Sequence, residues 1–583
     1  MIIPHINLGQ IGVVGDQNGQ ALPVNAWTDS MNVRFTPLGL EKIAESTLRI
    51  AKNTKFDIFT TKLRDGKVYV FAASRNGLHM YNGDDWYFTP CEVSDEAVWQ
   101  FTHWGDTVIF NCAEHAPFMF DWDTVESPDE VENNSYFRPL PKWGMISTEW
   151  DLSTGGDPSF DTEARCERLI AYKSQLVAVG IWMKEPIDAE LDPENIPDES
   201  PVYEKTDLKE KSNVCWVSDT TSDPTYKVPE GSAGGGADAG VSGAVQGGPP
   251  SWDYISPATL SVQQVVGAAD GRYIAAEQLN ESIIIYTATA AHALTFTGGQ
   301  YVVQTRRLFQ RGAAGPQCVV EFGNNHFVID GDQLYIHDGS QATRVGEDMF
   351  DVEFFKRAVN LRSATLCHDP ENREIWIYFD TIHGRKSCIY SYSTGTFGWG
   401  DGEAMSQPIR FASRGYLPQQ GAQWGDMTNP WLDLQVPDEP AEDFWSWGVQ
   451  RTFTHKPKIL ALTTFGIHQK EAFFANNREC WVERKAIDLD DAGINGWVIK
   501  HLKQYHMQLA GEGKVGIRTG WAQTALSAPE WEKPVWLDDN GDGSYQADMR
   551  TTGRYLSMRF EFKEMGQFRW ANGYMDIEVS GRR

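Results

Sequence analysis

The chain has 583 residues, 41% of them hydrophobic and 12% aromatic, which describes a folded globular protein and excludes a disordered one. Its 80 acidic residues outnumber 51 basic ones, giving a formal charge of −29 and a pI near 4.8. With no Lys/Arg run to override that total, a dedicated nucleic-acid-binding surface is excluded.

In chain order, the start "MIIPHINLGQIG" lacks a charged leader and a long apolar run, so no signal peptide is expected. No window reaches about 18 uninterrupted apolar residues, so no membrane span is expected either. From residue 65 a hairpin grammar sets in. "DGKVYVFAASRNGLHMYNGDDW" (65–86) is turn, alternating strand, Asn-Gly turn, second strand, turn. The pattern recurs in "GDTVIFNCAEHAPFMFDWD" (105–123), in "KSQLVAVGIW" with "NVCWVSD" (173–182, 213–219) and in "GRYIAAEQLNESIIIYT" (271–287). It returns in "GNNHFVIDGDQLYIHDGS" (323–340) and "ENREIWIYFDTIHGRKSCIYSYSTGTFGW" (371–399). Each hairpin pairs an expected inner run, such as Val68–Phe71 or Phe327–Ile329, with an outer one.

Uninterrupted starts step by about 40 to 53 residues, the length of a four-stranded propeller blade. The expected fold is mainly β: a β-propeller of about six blades plus a C-terminal β-sandwich or platform domain. The structural alternative is a pair of β-sandwich domains. Insertions at 185–211, rich in acid and proline, and at 229–250, rich in Gly, Ala and Ser, should be loops. Helix is scarce, with 347–359 the best short candidate. From 448 the strands lengthen, as in Tyr555, Ser557, Arg559 and Glu561 alternating with Leu556, Met558, Phe560 and Phe562. The expected domains are a docking segment of strand and hairpin at 1–50 and a propeller at 51–415. An irregular Trp/Pro-rich connector at 416–447 and a C-terminal β-domain at 448–583 complete them.

Chemistry is sparse. There is no GxSxG, HExxH, GxxxxGK[ST] or GxGxxG, and no acidic pair stands out as a glycosidase dyad. "STGTFGW" (393–399) lacks the aspartate of a sialidase aspartate box. No catalytic residue and no organic cofactor is assigned, and the chain is read as a non-enzyme. Eight cysteines lack CxxC spacing and read as free thiols. "CAEH" (112–115) and "CH" (367–368) have no partners at metal spacing. One stretch suggests calcium: in "DDNGDGSYQAD" (538–548), Asp538, Asn540 and Asp542 hold positions 1, 3 and 5 of a calcium-type loop with Gly543 at 6. Position 12 is Met549, which cannot ligate. The competing reading is a plain Asp/Asn/Gly hairpin turn.

Both ends carry recognisable patterns. "NVRF…GLEK" supplies Asn32, Arg34, Gly39, Glu41 and Lys42. "TTGRYLSMRFEF…MDIEVSGRR" supplies Gly553, Arg554, Tyr555, Arg559, Phe560, Asp576, Glu578, Gly581 and Arg582. Together they resemble the tail hub or nozzle proteins of short-tailed bacteriophages, of the tail tubular protein B and packaged-DNA stabilisation type.

The resemblance implies a virion tail part assembled in the bacterial host cytoplasm. It would form a homo-oligomeric ring, a hexamer, beneath the portal. Its partners would be the head-to-tail adaptor and tail fibres or spikes, and double-stranded DNA would pass without specific binding. The alternative function is a receptor-binding propeller that binds or depolymerises carbohydrate.

Overall fold

The computed structural model describes residues 1–52, 54–122, 124, 136–188, 203–220, 250–267, 269–297, 303–417, 457–473, 478–494, 496–511, 513–538, 543–563 and 566–580. The fold is mainly β. Among these residues the strands form seven four-stranded antiparallel sheets, two six-stranded sheets and a few two-stranded ones.

The first sheet shows why the sequence folds this way. Phe56–Arg64, Lys67–Ser74, Gly77–Tyr81 and Trp86–Pro90 pair in chain order through tight turns. The second strand is buried from Val68 to Ser74, so it reads as a continuous apolar run instead of a one-sided alternation. Its neighbours cover both faces. Sheets two to six follow at 100–139, 164–265, 273–309, 319–345 and 358–400. Such sheets bury little alone, and their mutual packing supplies the core.

The first strands of successive sheets touch in cyclic order. Gln100–Trp104 meets Ala164–Tyr172, which meets Tyr273–Leu279, which meets Val319–Phe322. Val319–Phe322 then meets Ala358–Asp369, and that strand meets Phe411–Gly415. Phe411–Gly415 returns to Phe56–Arg64, and Thr60 Oγ1 reaches His103 Nε2 at 2.7 Å to link sheets one and two. The arrangement is propeller-like, with seven sheets where the hairpin repeat suggests about six.

The seventh sheet explains the difference. It combines Phe411–Gly415, Lys458–Thr463 and Gly466–Phe473 with Glu45–Ala51 from the far end of the chain. Residues 45–51 therefore close a sheet instead of docking apart from it, and residues 458–473 belong with the sheets before them, so the expected boundaries at 50 and 448 move. The expected inner runs Val68–Phe71 and Phe327–Ile329 lie in second strands, one place out from the first. The insertion at 185–211, expected to be loop, carries strands among its described residues: Pro186–Asp188 pairs with Tyr203–Lys205, and Lys209–Val217 is the third strand of sheet three. Residues 229–249 and 418–446 lie outside the described residues. The expected helix appears as Asp351–Arg357.

Both ends of the chain build the two six-stranded sheets. Ile2–His5 pairs with Arg569–Ser580, Asp29–Met31 with Trp481–Ile487, and the hairpin Val33–Thr36/Gly39–Lys42 joins Arg569–Ser580 at Leu40 and Glu41. The sheets face one another across an aromatic core. Phe560 of one lies 4.9 Å from Tyr505 and 4.6 Å from Trp570 of the other, with Trp27 wedged 5.6 Å from Trp570. The Trp27 indole N–H donates to the Leu8 carbonyl at 2.9 Å. Buried Arg484 donates to the carbonyls of Gly19 and Leu22 at 2.8 and 2.7 Å and so laces the N-terminal segment down. One hydrophobic cluster runs from this core into sheets five and six.

Candidate functional site: a buried ionic joint

Where the N-terminal hairpin meets sheets six and seven, several charges are taken out of water together. Arg34, on Val33–Thr36, donates from Nε to Glu374 Oε1 at 2.5 Å and from a terminal nitrogen to Glu374 Oε2 at 2.9 Å. The same nitrogen reaches Glu471 Oε1 at 2.5 Å. Glu374 opens the second strand of sheet six, and its side chain is 1% exposed. Glu471 sits on the third strand of sheet seven with φ 53°. The pairing with Glu45–Ala51 slips beside it, between Gln469 and Phe473, and that bulge re-aims the side chain toward the joint.

A second node lies alongside. Arg478 grips Asp401 through two nitrogens at 3.0 and 2.7 Å and donates to the Ala44 carbonyl at 2.8 Å. Asn32, with φ 55°, donates to Asp401 Oδ2 at 3.0 Å and to the Glu479 carbonyl at 2.8 Å, and accepts from the Asp401 N–H at 3.1 Å. Asparagine tolerates that left-handed backbone better than most residues. Lys470 adds a buried ammonium 3.7 Å above the Trp376 ring.

The electrostatics follow from burial. Loss of water pushes the Glu374 carboxyl up to about 7 while Arg34 pulls it back. Loss of water also pushes Lys470 down to about 8 and lowers Lys42. Burial raises Asp401, but the Arg478 charge and the hydrogen bonds from Arg478 and the Glu403 N–H together outweigh it and hold the carboxyl below its usual value. Asp369, Glu374 and Glu471 bring carboxylate oxygens within 4.8 Å of one another, a spacing a metal ion could use. The guanidinium of Arg34 already fills the cationic role there. Asn372 Nδ2 bridges Asp369 and Glu471 at 2.7 and 3.0 Å. The geometry is therefore that of an ionic clasp between sheets, with its carboxylates already partnered.

The other residues singled out from sequence lie nearby or elsewhere. Gly39, at φ 130°, lies against the Trp570 backbone, where a methyl group would collide with the carbonyl oxygen. Glu41 pairs with Arg569 at 2.7 Å, and Lys42 is 2% exposed. Arg559 stacks 3.9 Å over the Trp481 ring. Gly553 lies against Trp521, the Arg554 carbonyl accepts from Lys500 Nζ at 2.8 Å, and Tyr555 reaches Gln20 at 3.5 Å. Asn540, Asp542, Gly581 and Arg582 lie outside the described residues. Asp538 ends Val535–Asp538, which pairs with Lys514–Ala522, whereas Ser544–Gly553 pairs with Ile499–Ala510 of the other sheet. The strands on either side of residues 539–542 thus pair in different six-stranded sheets. His115 Nε2 donates to the Glu92 carbonyl, His368 shares a hydrogen bond with the Tyr392 hydroxyl, and all eight cysteines are buried.

Sequence reasoning finds no chemistry in the hairpin 323–340, yet it carries a buried polar chain. The Gln278 carbonyl can only accept, so His326 Nε2 donates to it at 2.8 Å. His326 Nδ1 then accepts from the Tyr286 hydroxyl at 2.7 Å, whose oxygen accepts from His337 Nε2 at 2.5 Å. His337 Nδ1 accepts from the Gly339 N–H at 3.1 Å. Every group is satisfied with both imidazoles neutral. Burial lowers both, His337 to about 3. The only sequence signal is a His on each strand of one hairpin, at positions that pair across it.

No family model matches the chain, and no curated protein matches it. Among solved structures, it is similar to Sqt1 of Saccharomyces cerevisiae at 7% identity and a TM-score of 0.33, over 73% of this chain and 98% of that one. Apo AztD of Citrobacter koseri matches at 10% identity and a TM-score of 0.26, over 74% and 88%. A Bacillus subtilis family 43 arabinoxylan arabinofuranohydrolase in complex with cellotetraose matches at 8% and 0.21, over 98% and 100%. At such scores these likenesses carry no argument about activity.

Proposed function

We propose that the chain is a structural subunit of a short phage tail, a hub or nozzle whose copies form a ring below the portal and its adaptor. On this reading the seven sheets are the blades of one closed propeller, and the two six-stranded sheets are the platform through which subunits meet. The observation that carries the proposal is the convergence of the terminal motifs. Asn32 and Arg34 from one end enter the ionic joint, and Gly39 and Glu41 lie against the Arg569–Ser580 strand from the other end. The hairpin of the N-terminal pattern thus pairs with the strand that runs into the C-terminal one.

The charge supports the same reading. A subunit of −29, repeated around a ring, makes a strongly negative assembly, and DNA passing through it slides without adhering. Genome retention, ejection and the anchoring of fibres or spikes then need no catalysis by this chain.

The test is sedimentation and negative-stain imaging of the purified chain, alone and with its adaptor. A six-fold ring that retains no double-stranded DNA at low salt is expected. A chain that stays monomeric with and without adaptor overturns the proposal.

A further inference from the structure

One end of the two-sheet unit is shaped into a cleft of about 740 Å³. Four separate segments wall it: Asn18 and Gln20 of the N-terminal turn, Asp490 and Gly493 with Gly496 and Trp497, the segment from Gln523 to Leu526, and Arg554 with Tyr555. Trp497 is 68% exposed within it. Leaving an indole that open in a concave site is unfavourable unless something is meant to cover it.

The exposure is built into the fold. The loop that carries Trp497 begins at Leu489, which is 2% exposed, and passes through Ile494, which is 5% exposed; both are anchored in the core. Between them the chain makes a turn stabilised by Ala492 and Ile494 N–H groups bonding the Leu489 carbonyl at 3.0 and 3.1 Å. The opposite wall is equally fixed. The Arg554 carbonyl is held by Lys500, its guanidinium stands 6.0 Å from the Trp497 ring centre, and the turn bearing Gln20 is pinned by Arg484. A preorganised site loses little freedom on binding.

The chemistry of the walls selects the ligand. Around the indole stand side-chain amides (Asn18, Gln20, Gln523), a carboxylate (Asp490), hydroxyls (Thr524, Tyr555) and a guanidinium (Arg554). One cation facing one anion, in a chain of −29, disfavours phosphate. Ala525 and Leu526, the latter 88% exposed, add apolar surface, but an apolar ligand filling the cleft would strip water from the polar groups beside them without replacing its bonds. A pyranose meets both needs. Its C–H face covers the indole, and its hydroxyls, each donor and acceptor, match planar amides, carboxylate and guanidinium.

We propose that this cleft binds an uncharged oligosaccharide, with one sugar ring stacked on Trp497. The site lies apart from the ionic joint, and the inference stands whether or not the chain assembles into a ring.

The experiment is calorimetry and tryptophan fluorescence on the full chain with cellohexaose, maltohexaose and chitohexaose, backed by an array of bacterial surface polysaccharides. At least one probe should bind. Trp497→Ala should weaken it by about tenfold or more, Trp497→Phe by less, and Gln523→Ala by roughly threefold or more, as expected for one lost stacking or hydrogen-bonding partner. Unchanged melting of each variant shows that the loss is local. Binding to no probe, or binding that Trp497→Ala leaves unaltered, overturns the proposal. So does a change of sedimentation on Trp497→Ala without any saccharide effect, because the cleft is then a contact between copies.

Discussion

The seam between sheets four and five and the joint between the N-terminal hairpin and sheets six and seven both bury polar side chains, by opposite means. The first is neutral: Tyr286, His326 and His337 pass hydrogen bonds along a line that ends on backbone groups. The second is charged: Arg34 and Arg478 hold Glu374, Glu471 and Asp401. The neutral chain joins residues about fifty positions apart, as in the Tyr286–His337 bond. The charged joint ties residues 340 and 437 positions apart. A charge removed from water is unfavourable unless its partner arrives, so the clasp makes the correct meeting of distant segments mandatory. The histidine chain tunes a contact that local hairpins already bring about.

Breaking the clasp should have the largest effect. Arg34→Met leaves Glu374 and Glu471 buried without their cation, and the expected loss is about 3–5 kcal/mol of unfolding free energy, read from urea denaturation. Adding Glu374→Gln and Glu471→Gln should recover much of that loss, because amides can bond one another. A loss below about 1 kcal/mol is what a solvated surface pair gives, and would erase the contrast between the two seams.

The neutral seam is tested next. Tyr286→Phe strands an imidazole acceptor and an imidazole donor, an expected loss of about 1–3 kcal/mol. Acid sharpens the comparison because the signs differ. Folded His326 and His337 stay unprotonated below 6.5, where the unfolded chain takes protons. Their contribution therefore falls as pH drops below 6.5, for His337 by up to about 1.4 kcal/mol per pH unit down to its value of about 3. Glu374 moves the other way. Folded, with its carboxyl raised to about 7, it holds a proton that an ordinary glutamate near 4.5 has released, so its contribution grows as pH drops from 7 to 4.5. Measured as differences from the unaltered chain, His326→Gln/His337→Gln should flatten the acid loss, and Glu374→Gln should deepen it between 7 and 4.5. Identical differences for both variants would show that the seams are not electrostatically distinct.

The same contrast marks what the sequence discloses. The hairpins of 67–81, 107–120, 325–337 and 374–391 are legible because second and third strands are buried on both faces and read as apolar runs. First and fourth strands are shorter or half-exposed, as with Val319–Phe322 and Trp86–Pro90, and do not announce themselves. The seventh sheet has an equally apolar hairpin at 458–473, but its fourth strand lies some four hundred residues upstream, so no local period includes it. Arg34 is singled out by a terminal pattern, whereas Glu374 and Glu471 are two acids among 80. Partnership across such distances leaves no local trace, and the cleft at Trp497, assembled from four loops, leaves none either.

One local signature does cross the two regions and supplies the finest test. Thr36-x-x-Gly39, Ser74-x-x-Gly77, Thr381-x-x-Gly384 and Thr463-x-x-Gly466 are hairpin turns in which the hydroxyl donates to the glycine carbonyl, at 3.0, 3.1, 2.7 and 3.5 Å. Each glycine has positive φ, so a side chain there is strained. Their surroundings differ. A methyl group at Gly466 would run into the carbonyl oxygen of Ile50, on the strand that closes the seventh sheet, whereas one at Gly384 would meet open space. Gly384→Ala should therefore cost about 1 kcal/mol from backbone strain alone. Gly466→Ala should cost roughly one to two more, because it also pushes Glu45–Ala51 off its partner. Hydrogen exchange at Leu48 and Ile50 should accelerate in Gly466→Ala and not in Gly384→Ala. Equal exchange in both would mean that the N-terminal strand is held by the ionic joint behind it, and that its ladder with Gly466–Phe473 contributes little to closing the ring of sheets.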